Sequence, residues 1–348
     1  MDVKGKINWG VIGSGGIASR RTIPEGIVPA ELAHLVAVYD INEQVNNSVA
    51  GENNAYPAKS LDDLLESDIE AVYVASPVES HFEQVTTCAR AGKHVLCEKP
   101  LGLSVREAEE MAGICKENGV LLGTGLMMRF HTRHELAKRF IRQGRIGIPV
   151  YARAQLSCWY PPIEGAWRQD PLTGGGGSLM DMGSHCIDLL EMLFGNVKSV
   201  NCFVNNNVHA YKSEDSAVVS MMFENGAMGT VDTYFCIPDN SSKNVLELYG
   251  SKGSIIAKGT IGQGDAGEMV AFLEGDEVGY DTSQERSVGD GLIMKPEPRN
   301  TYLAEIEDFS LAIIDKREPS VNSDIGIRSQ RIMQACYDSA SRGKVINV

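Results

Sequence analysis

The chain has 348 residues, 43% of them hydrophobic and 22% charged, with a formal net charge of −14. At roughly 150 residues per domain this length suggests two domains, and the composition excludes both a disordered chain and a small disulfide-stapled scaffold. The acidic surplus excludes a protein that tracks phosphates through a basic face, so no nucleic-acid partner is expected.

The first third alternates short apolar strands with helical stretches. Ile7–Ile12 reads as a strand, Ile17 to about Pro29 as a helix, and Leu35–Tyr39 as a second strand. Leu61–Ser67 reads as a short helix capped by Ser60, Ala71–Ala75 as a third strand, and Phe82–Ala91 as a helix stopped by Gly92. Val95–Cys97 is a fourth strand, Val105–Asn118 a helix between Ser104 and Gly119, and Val120–Gly123 a fifth strand. Strands alternating with helices imply right-handed crossovers and a parallel sheet.

The pattern changes after about Gly125. A helix near Arg133–Gln143, a strand at Val150–Ser157 and a helix at Leu179–Leu193 come first. Five strand-like runs follow, Val197–Asn205, Asp215–Phe223, Ala227–Phe235, Asn244–Tyr249 and Ser254–Lys258. Short turns between them imply an antiparallel sheet. Gly259–Arg299 reads as a ragged edge hairpin and a long loop, and helices near Tyr302–Ile314 and Asp324–Arg342 close the chain. The expected fold is therefore an α/β domain with a parallel sheet over residues 1–125 and an α+β domain with a mostly antiparallel open sheet over 126–348. The last helix is a candidate to pack back on the first domain.

No stretch approaches the ~20 apolar residues of a membrane span, and Ile7–Ile12 is shorter than the ~7–15 residues of a signal-peptide core. No membrane partner is expected, and the cytoplasm is the default compartment. The eight scattered cysteines include no CxxC pair and read as small core residues.

Three motifs carry chemistry. Gly13-Ser14-Gly15-Gly16-Ile17-Ala18 follows the first strand and opens a helix, fitting G-x-G-x-x-A. Gly13 permits a tight turn, Gly15 lets the backbone approach a pyrophosphate, and Ala18 lets helix and strand pack closely. Asp40 ends the second strand at the distance expected for a carboxylate on the adenosine ribose, with Ile41 rather than Arg after it, which favours NAD over NADP. Arg20 and Arg21 read as solvated helix residues. Ser76-Pro77 ends the third strand and is a candidate cofactor-facing wall. His81 opens the next helix, as a cofactor contact or a packing residue.

Glu98-Lys99-Pro100 follows the fourth strand, at the strand ends where ligands of parallel sheets bind. Pro100 restricts Lys99 to extended geometry, and a cis bond is left open. The third motif is the run Gly174–Gly177 before Ser178 and a helix with Asp181 and His185 on one face. A carboxylate-supported histidine suits a general base, though an ordinary helical contact, or a metal set with Asp188, reads equally from the spacing. The glycines allow close approach of a ligand or of another backbone.

Together, Gly13-x-Gly15-x-x-Ala18, Ala91-Gly92-Lys93-His94-Val95-Leu96-Cys97-Glu98-Lys99-Pro100-Leu101 and Gly175-Gly176-Gly177-Ser178-Leu179-x-Asp181-x-Gly183-x-His185-x-x-Asp188 resemble the Gfo/Idh/MocA oxidoreductase family, in order along essentially the whole chain. The resemblance implies hydride transfer between nicotinamide and a sugar or polyol carbon, with no metal. It implies that Lys99 binds and polarises the reacting hydroxyl, His185 accepts its proton, and Asp181 positions substrate or tunes the pair. The candidate cofactor contacts are Gly13, Gly15, Gly16, Ile17, Ala18, Asp40, Ser76, Pro77, His81, Glu98 and Lys99. Arg129, Trp159, Trp167 and Arg168, with Asp181 and His185, are the substrate candidates, and a homodimer or homotetramer is implied by analogy. Two rivals stand beside a dehydrogenase: a glycosidase-type enzyme using transient oxidation, and a non-catalytic NAD-binding sensor.

Overall fold

The computed structural model describes residues 5–273, 282 and 289–348. Its strands are β1 (Ile7–Ile12), β2 (Ala33–Tyr39), β3 (Tyr56–Pro57), β4 (Ala71–Val74), β5 (His94–Glu98), β6 (Leu122–Gly125), β7 (Pro149–Ser157), β8 (Val197–Asn205), β9 (Ser216–Phe223), β10 (Met228–Tyr234), β11 (Val245–Gly250), β12 (Gly253–Lys258), β13 (Glu268–Leu273), β14 (Leu292–Ile293) and β15 (Ile346–Asn347). The helices used below are α1 (Ala18–Ile27), α2 (Glu43–Asn53), α3 (Leu61–Glu66), α4 (His81–Arg90), α5 (Val105–Glu117), α6 (Thr132–Arg142), α7 (Leu179–Gly183 continuing as Ser184–Phe194), α8 (Thr301–Asp315) and α9 (Ser323–Arg342). The chain forms two compact units. The first is Met1–Met127, Gly165–Gly176 and Asn300–Gln334, and the second is Met128–Glu164, Gly177–Arg299 and Ala335–Val348.

In the first unit six strands lie in the order β3-β2-β1-β4-β5-β6, and every neighbouring pair is parallel. The helical crossovers α1 to α5 cover both faces, so β4 is buried along its whole length. Alternate residues of β4 feed two cores. Val72 and Val74 join Val85, Leu101 and Met111, whereas Ala71 and Tyr73 join Trp9, Ile23 and Phe309. The chain winds outward in both directions from β1 and β4. The carboxyl ends of these two strands therefore flank the switch point at which such sheets bind ligands.

The predicted caps form. Ser60 Oγ accepts from Asp63 N at 3.1 Å and Ser104 Oγ from Glu107 N at 3.2 Å. The helix α2 was not predicted. It is largely polar and buries only Asn46, Val49 and Ala50, but Asn42 caps it through Gln44 N and Val45 N. Helix α1 is π-helical and holds Pro24, which supplies no N–H. Helix α8 packs on the first sheet: Trp9 Nε1 donates to Ser310 Oγ at 3.1 Å, and the Trp9 and Phe309 rings lie 5.6 Å apart.

The second unit is a sheet in the order β14-β13-β12-β11-β7-β10-β9-β8-β15. Its neighbours are antiparallel except β7 and β10, which are parallel. The sheet is thus mostly antiparallel, as expected, and β7 and β10 run parallel because they are separated by α7 and two further strands, long enough to return the chain in the same direction. Strand β9 alternates: Ala217, Val219, Met221 and Phe223 are buried, while Val218 and Met222 are exposed. One face of this sheet carries α7. The other bears exposed Phe203, Val218, Met222 and Met228, beside an Arg153–Asp232 ion pair at 3.2 Å. Of the segment expected as a ragged hairpin and loop, β13 pairs along its whole length with β12, and residues 274–281 and 283–288 lie outside the described residues. Among the described residues no helix is long and apolar enough to cross a membrane.

Candidate active site

The dinucleotide loop of the first unit is built by backbone demands. Gly13 has φ 74°, and a Cβ there would lie 2.6 Å from Ser76 N and 2.8 Å from Ala75 C. The turn after β1 thus runs directly over the turn after β4. Gly16 has φ 57° and faces open space, Ile17 is half-buried, and Ala18 is fully buried under the sheet. Asp40, at the end of β2, accepts from Gly15 N at 3.0 Å through Oδ2 and from Asn42 N at 2.9 Å through Oδ1. Its carboxylate is held against the glycine loop as an acceptor-only group.

Ser76 Oγ donates to Gln84 Oε1 at 2.5 Å, and Pro77 starts the turn into α4. His81 is buried, with Nδ1 3.0 Å from the Pro100 carbonyl and Nε2 2.9 Å from the Ser76 carbonyl. It ties the turn after β4 to the turn after β5, and burial holds its pKa below the usual imidazole value. The Lys99–Pro100 peptide bond is cis.

Glu98 anchors the turn that carries Lys99. Its Oε1 accepts from Tyr73 OH at 2.5 Å, Tyr73 OH accepts from Thr22 Oγ1 at 2.9 Å, and Oε2 accepts from Lys99 N at 3.2 Å. Gly125 makes room for this carboxyl, since a Cβ there would lie 3.1 Å from its carbon. Burial pushes the Glu98 pKa up, opposed by the Tyr73 hydrogen bond and the charge of Lys99. Glu305 of α8 is buried nearby and raised well above the usual carboxylate range, by burial and then by Glu98. Trp167 and Arg168 belong to this unit; the Arg168 guanidinium carbon lies 4.0 Å from the Trp167 ring centroid, and its charge acts on Glu98.

In the second unit the informative feature is exposure along α7. From Leu179 to Leu190, only Asp181 and His185 are not fully buried. Their spacing of four puts both on the face that emerges from the core. Asp188, by contrast, is buried and held by Arg129, whose Nε donates to Oδ1 at 3.0 Å and Oδ2 at 2.8 Å and whose second nitrogen donates to Oδ1 at 2.6 Å. Within this unit Arg129 thus serves α7, where the sequence reading had it as a substrate contact. Among the described residues no group of three His, Cys, Asp or Glu is arranged to hold a metal ion. Trp159 is 43% exposed, donates its backbone N–H to Asp239 Oδ1 at 2.8 Å, and meets His209 edge-on at 5.0 Å.

Two further histidines form a buried knot under α6. His134 Nδ1 lies 3.0 Å from the Met128 carbonyl and Nε2 lies 3.2 Å from Thr260 Oγ1, while the His131 ring is 4.6 Å away. Burial, and then the neighbouring His131, push the His134 pKa down to about 3. A folded-state pKa below the unfolded value gives stability that is complete above the unfolded value of about 6.5 and is lost as pH falls toward 3. The melting temperature is therefore expected to drop across that window. In His134→Gln that part of the acid loss should shrink, on a lower baseline at neutral pH, as thermal melts across pH would show.

The glycine run before α7 admits another backbone. A Cβ on Gly177 would lie 2.0 Å from the Glu214 carbonyl oxygen. Glu214 itself escaped the sequence reading; its one local signal is an acid pair, Glu214-Asp215, at the start of a half-buried strand.

A switch-point glycine loop followed by a strand-end carboxylate defines a dinucleotide-binding protein of the doubly wound class. Residues 7–126 match the description "Oxidoreductase family, NAD-binding Rossmann fold" and residues 138–348 match "Oxidoreductase family, C-terminal alpha/beta domain". The chain belongs to the Gfo/Idh/MocA oxidoreductase family. It is 28% identical to the 1,5-anhydro-D-fructose reductase of Ensifer adhaerens, covering 98% of each chain, and 29% identical to the myo-inositol 2-dehydrogenase of Thermotoga maritima, covering 91% of each. Its fold is that of the aldose-aldose oxidoreductase of Caulobacter crescentus, with TM-score 0.87 at 24% identity over 99% of this chain and 100% of that one.

Proposed function

We propose that the protein is an NAD-dependent dehydrogenase acting on a secondary alcohol of a sugar, cyclitol or sugar derivative. The observation that carries this reading is that, from Leu179 to Leu190 of a buried helix, Asp181 and His185 are the two residues that reach partly out of the core, in a chain that also presents Lys99 on an anchored strand-end turn. Lys99 binds the reacting hydroxyl and stabilises negative charge developing on its oxygen. His185 takes the hydroxyl proton, and Asp181 orients substrate or imidazole. The names of the relatives, reductases and dehydrogenases of sugars and cyclitols, support the substrate class.

The residues of the first unit fit a dinucleotide. Gly13 lets the loop lie against the turn after β4, the Gly15 N–H is bound by Asp40, the open Gly16 precedes the N-terminus of α1, where an anion such as a pyrophosphate is favoured, and Asp40 is fixed to accept from a ribose. When bound, nicotinamide supplies the hydride chemistry that no side chain can. The Asp40 carboxylate accepts from a 2′-hydroxyl and repels a 2′-phosphate, which supports NAD. Asp40→Asn is expected to raise the NADP+/NAD+ ratio of kcat/KM by about tenfold, or about 1.4 kcal/mol; an unchanged ratio would remove Asp40 from cofactor choice. The exposed apolar outer face of the second sheet supports a homo-oligomer.

The test is nicotinamide absorbance with purified protein, NAD+ and NADP+ each offered with a panel of sugars, inositols and sugar acids. The reading expects NAD+ reduction with at least one of them. Tight NAD+ binding without reduction on any member would overturn it.

A further inference from the structure

The helix that carries Asp181 and His185 begins with three consecutive backbone N–H groups, and one distant residue takes all three. Glu214 Oε1 accepts from Gly177 N and from Leu179 N, each at 2.9 Å. The Glu214 backbone carbonyl accepts from Ser178 N at 3.1 Å. The same Oε1 accepts from Tyr337 OH of α9 at 3.0 Å. A buried carboxylate thus sits at the positive end of α7, where both the orphan donors and the helix dipole favour it.

We infer that Glu214 is a positioning residue: it fixes the start of α7, and through it the frame in which Asp181 and His185 emerge. The inference rests on the proposed function for the roles of those two side chains. The geometry supporting it is specific. The first turn of α7 is π-helical, a wide turn that local propensity does not favour, with Ser184 N donating to the Leu179 carbonyl. Just before it Asp181 N donates to the Gly177 carbonyl at 2.9 Å. Gly177 is thereby gripped on both sides, by the Glu214 side chain at its N–H and by α7 at its carbonyl. Its missing Cβ is what lets the Glu214 carbonyl come close.

The adjacent acid works in the opposite direction. Asp215 Oδ2 accepts from Val208 N and His209 N, each at 2.9 Å, and so fixes the loop before β9. The pair Glu214-Asp215 therefore pins α7 on one side of β9 and its own entry loop on the other. Tyr337 extends the clamp to α9, so the C-terminal helix reaches the start of α7 through one phenol and one carboxylate oxygen.

The test measures Glu214→Gln, Glu214→Asp and Tyr337→Phe in the full-length protein. Steady-state kinetics, NADH affinity by fluorescence titration and amide hydrogen exchange over residues 175–190 are the readouts. Glu214→Gln should lower kcat by about 10- to 100-fold, the scale of a misplaced catalytic group, with substrate KM and NADH affinity within about twofold. The Gly177 and Leu179 amides should exchange faster in it. Tyr337→Phe, which keeps two of the three donors to Oε1, should lose about two- to fivefold in kcat, and Glu214→Asp should recover part of the loss seen in Gln. Wild-type kcat in Glu214→Gln would overturn the inference, as would a loss in which kcat and NADH affinity fall together. If the wild-type protein turns over nothing on the panel, the proposed function fails, and unchanged exchange at Gly177 and Leu179 would then overturn the clamp by itself.

Discussion

Replacing Lys99 or His185 with alanine should each lower kcat by about 10²- to 10⁴-fold while NAD(H) binding persists. The reasoning is local in both cases. Lys99 follows a strand end whose last residue, Glu98, is held by Tyr73 OH and by Lys99 N itself. That anchor, the tie from His81 to the Pro100 carbonyl and the room left at Gly125 stay in place when only the Lys99 side chain is removed. The glycine loop and Asp40 lie on other strand ends, so dinucleotide affinity should be kept. His185 lies on a helix in the second unit whose buried residues hold the helix without it. If, as proposed, Lys99 steadies the hydroxyl oxygen and His185 takes its proton in one step, the double variant should be little worse than the poorer single one. Rapid-mixing kinetics with a saturating substrate, beside an NADH titration, separates the two quantities. Turnover by Lys99→Ala within about tenfold of the parent would remove Lys99 from the chemistry.

Gly13→Ala should abolish dinucleotide binding, by at least about 100-fold in affinity, and leave the second unit folded. A Cβ there would lie 2.6 Å from Ser76 N and 2.8 Å from two other backbone atoms, which no rotamer change relieves. The positive φ of 74° adds strain for any L side chain, on the order of 1–2 kcal/mol. The turn must therefore move away from the strand-end turn at Ser76, and the N–H groups of the loop lose their aim. Gly16→Ala is the informative comparison: its φ is also positive, but a Cβ would meet open space, so strain alone should cost far less affinity. Fluorescence titration with NADH reads both variants. Equal losses in the two would show that strain, and not the close approach to Ser76, is what the glycine at 13 relieves.

What was legible in the sequence was what local signals encode. Hydrophobic runs placed β1, β2, β4 and β5, and Ser60 and Ser104 announced α3 and α5 by the physics of their hydroxyls. Helix α2 was missed because its stripe of buried residues is thin, although Asn42 sat before it as a capping signal. Which pair of the mostly antiparallel second sheet runs parallel is not written in a strand, because strand polarity is set by the crossover and not by the pattern within a strand. The site divides the same way. The shared face of Asp181 and His185 was visible because a spacing of four is local. Glu214 was not, because its hydrogen bonds reach back 35 and 37 residues. The tie of Arg129 to Asp188 was not legible for the same reason: the two lie 59 residues apart, and nothing in either neighbourhood names the other.

The central claim is that hydride moves between a carbinol carbon of the substrate and the nicotinamide, with Lys99 and His185 serving the oxygen. The most direct measurement uses a substrate from the panel deuterated at its carbinol carbons, with mass spectrometry of the nicotinamide product. The account predicts one deuterium per reduced nicotinamide, together with a slowed turnover for the deuterated substrate. Reduced nicotinamide that carries no deuterium, or product formed with no net or transient reduction, would contradict it.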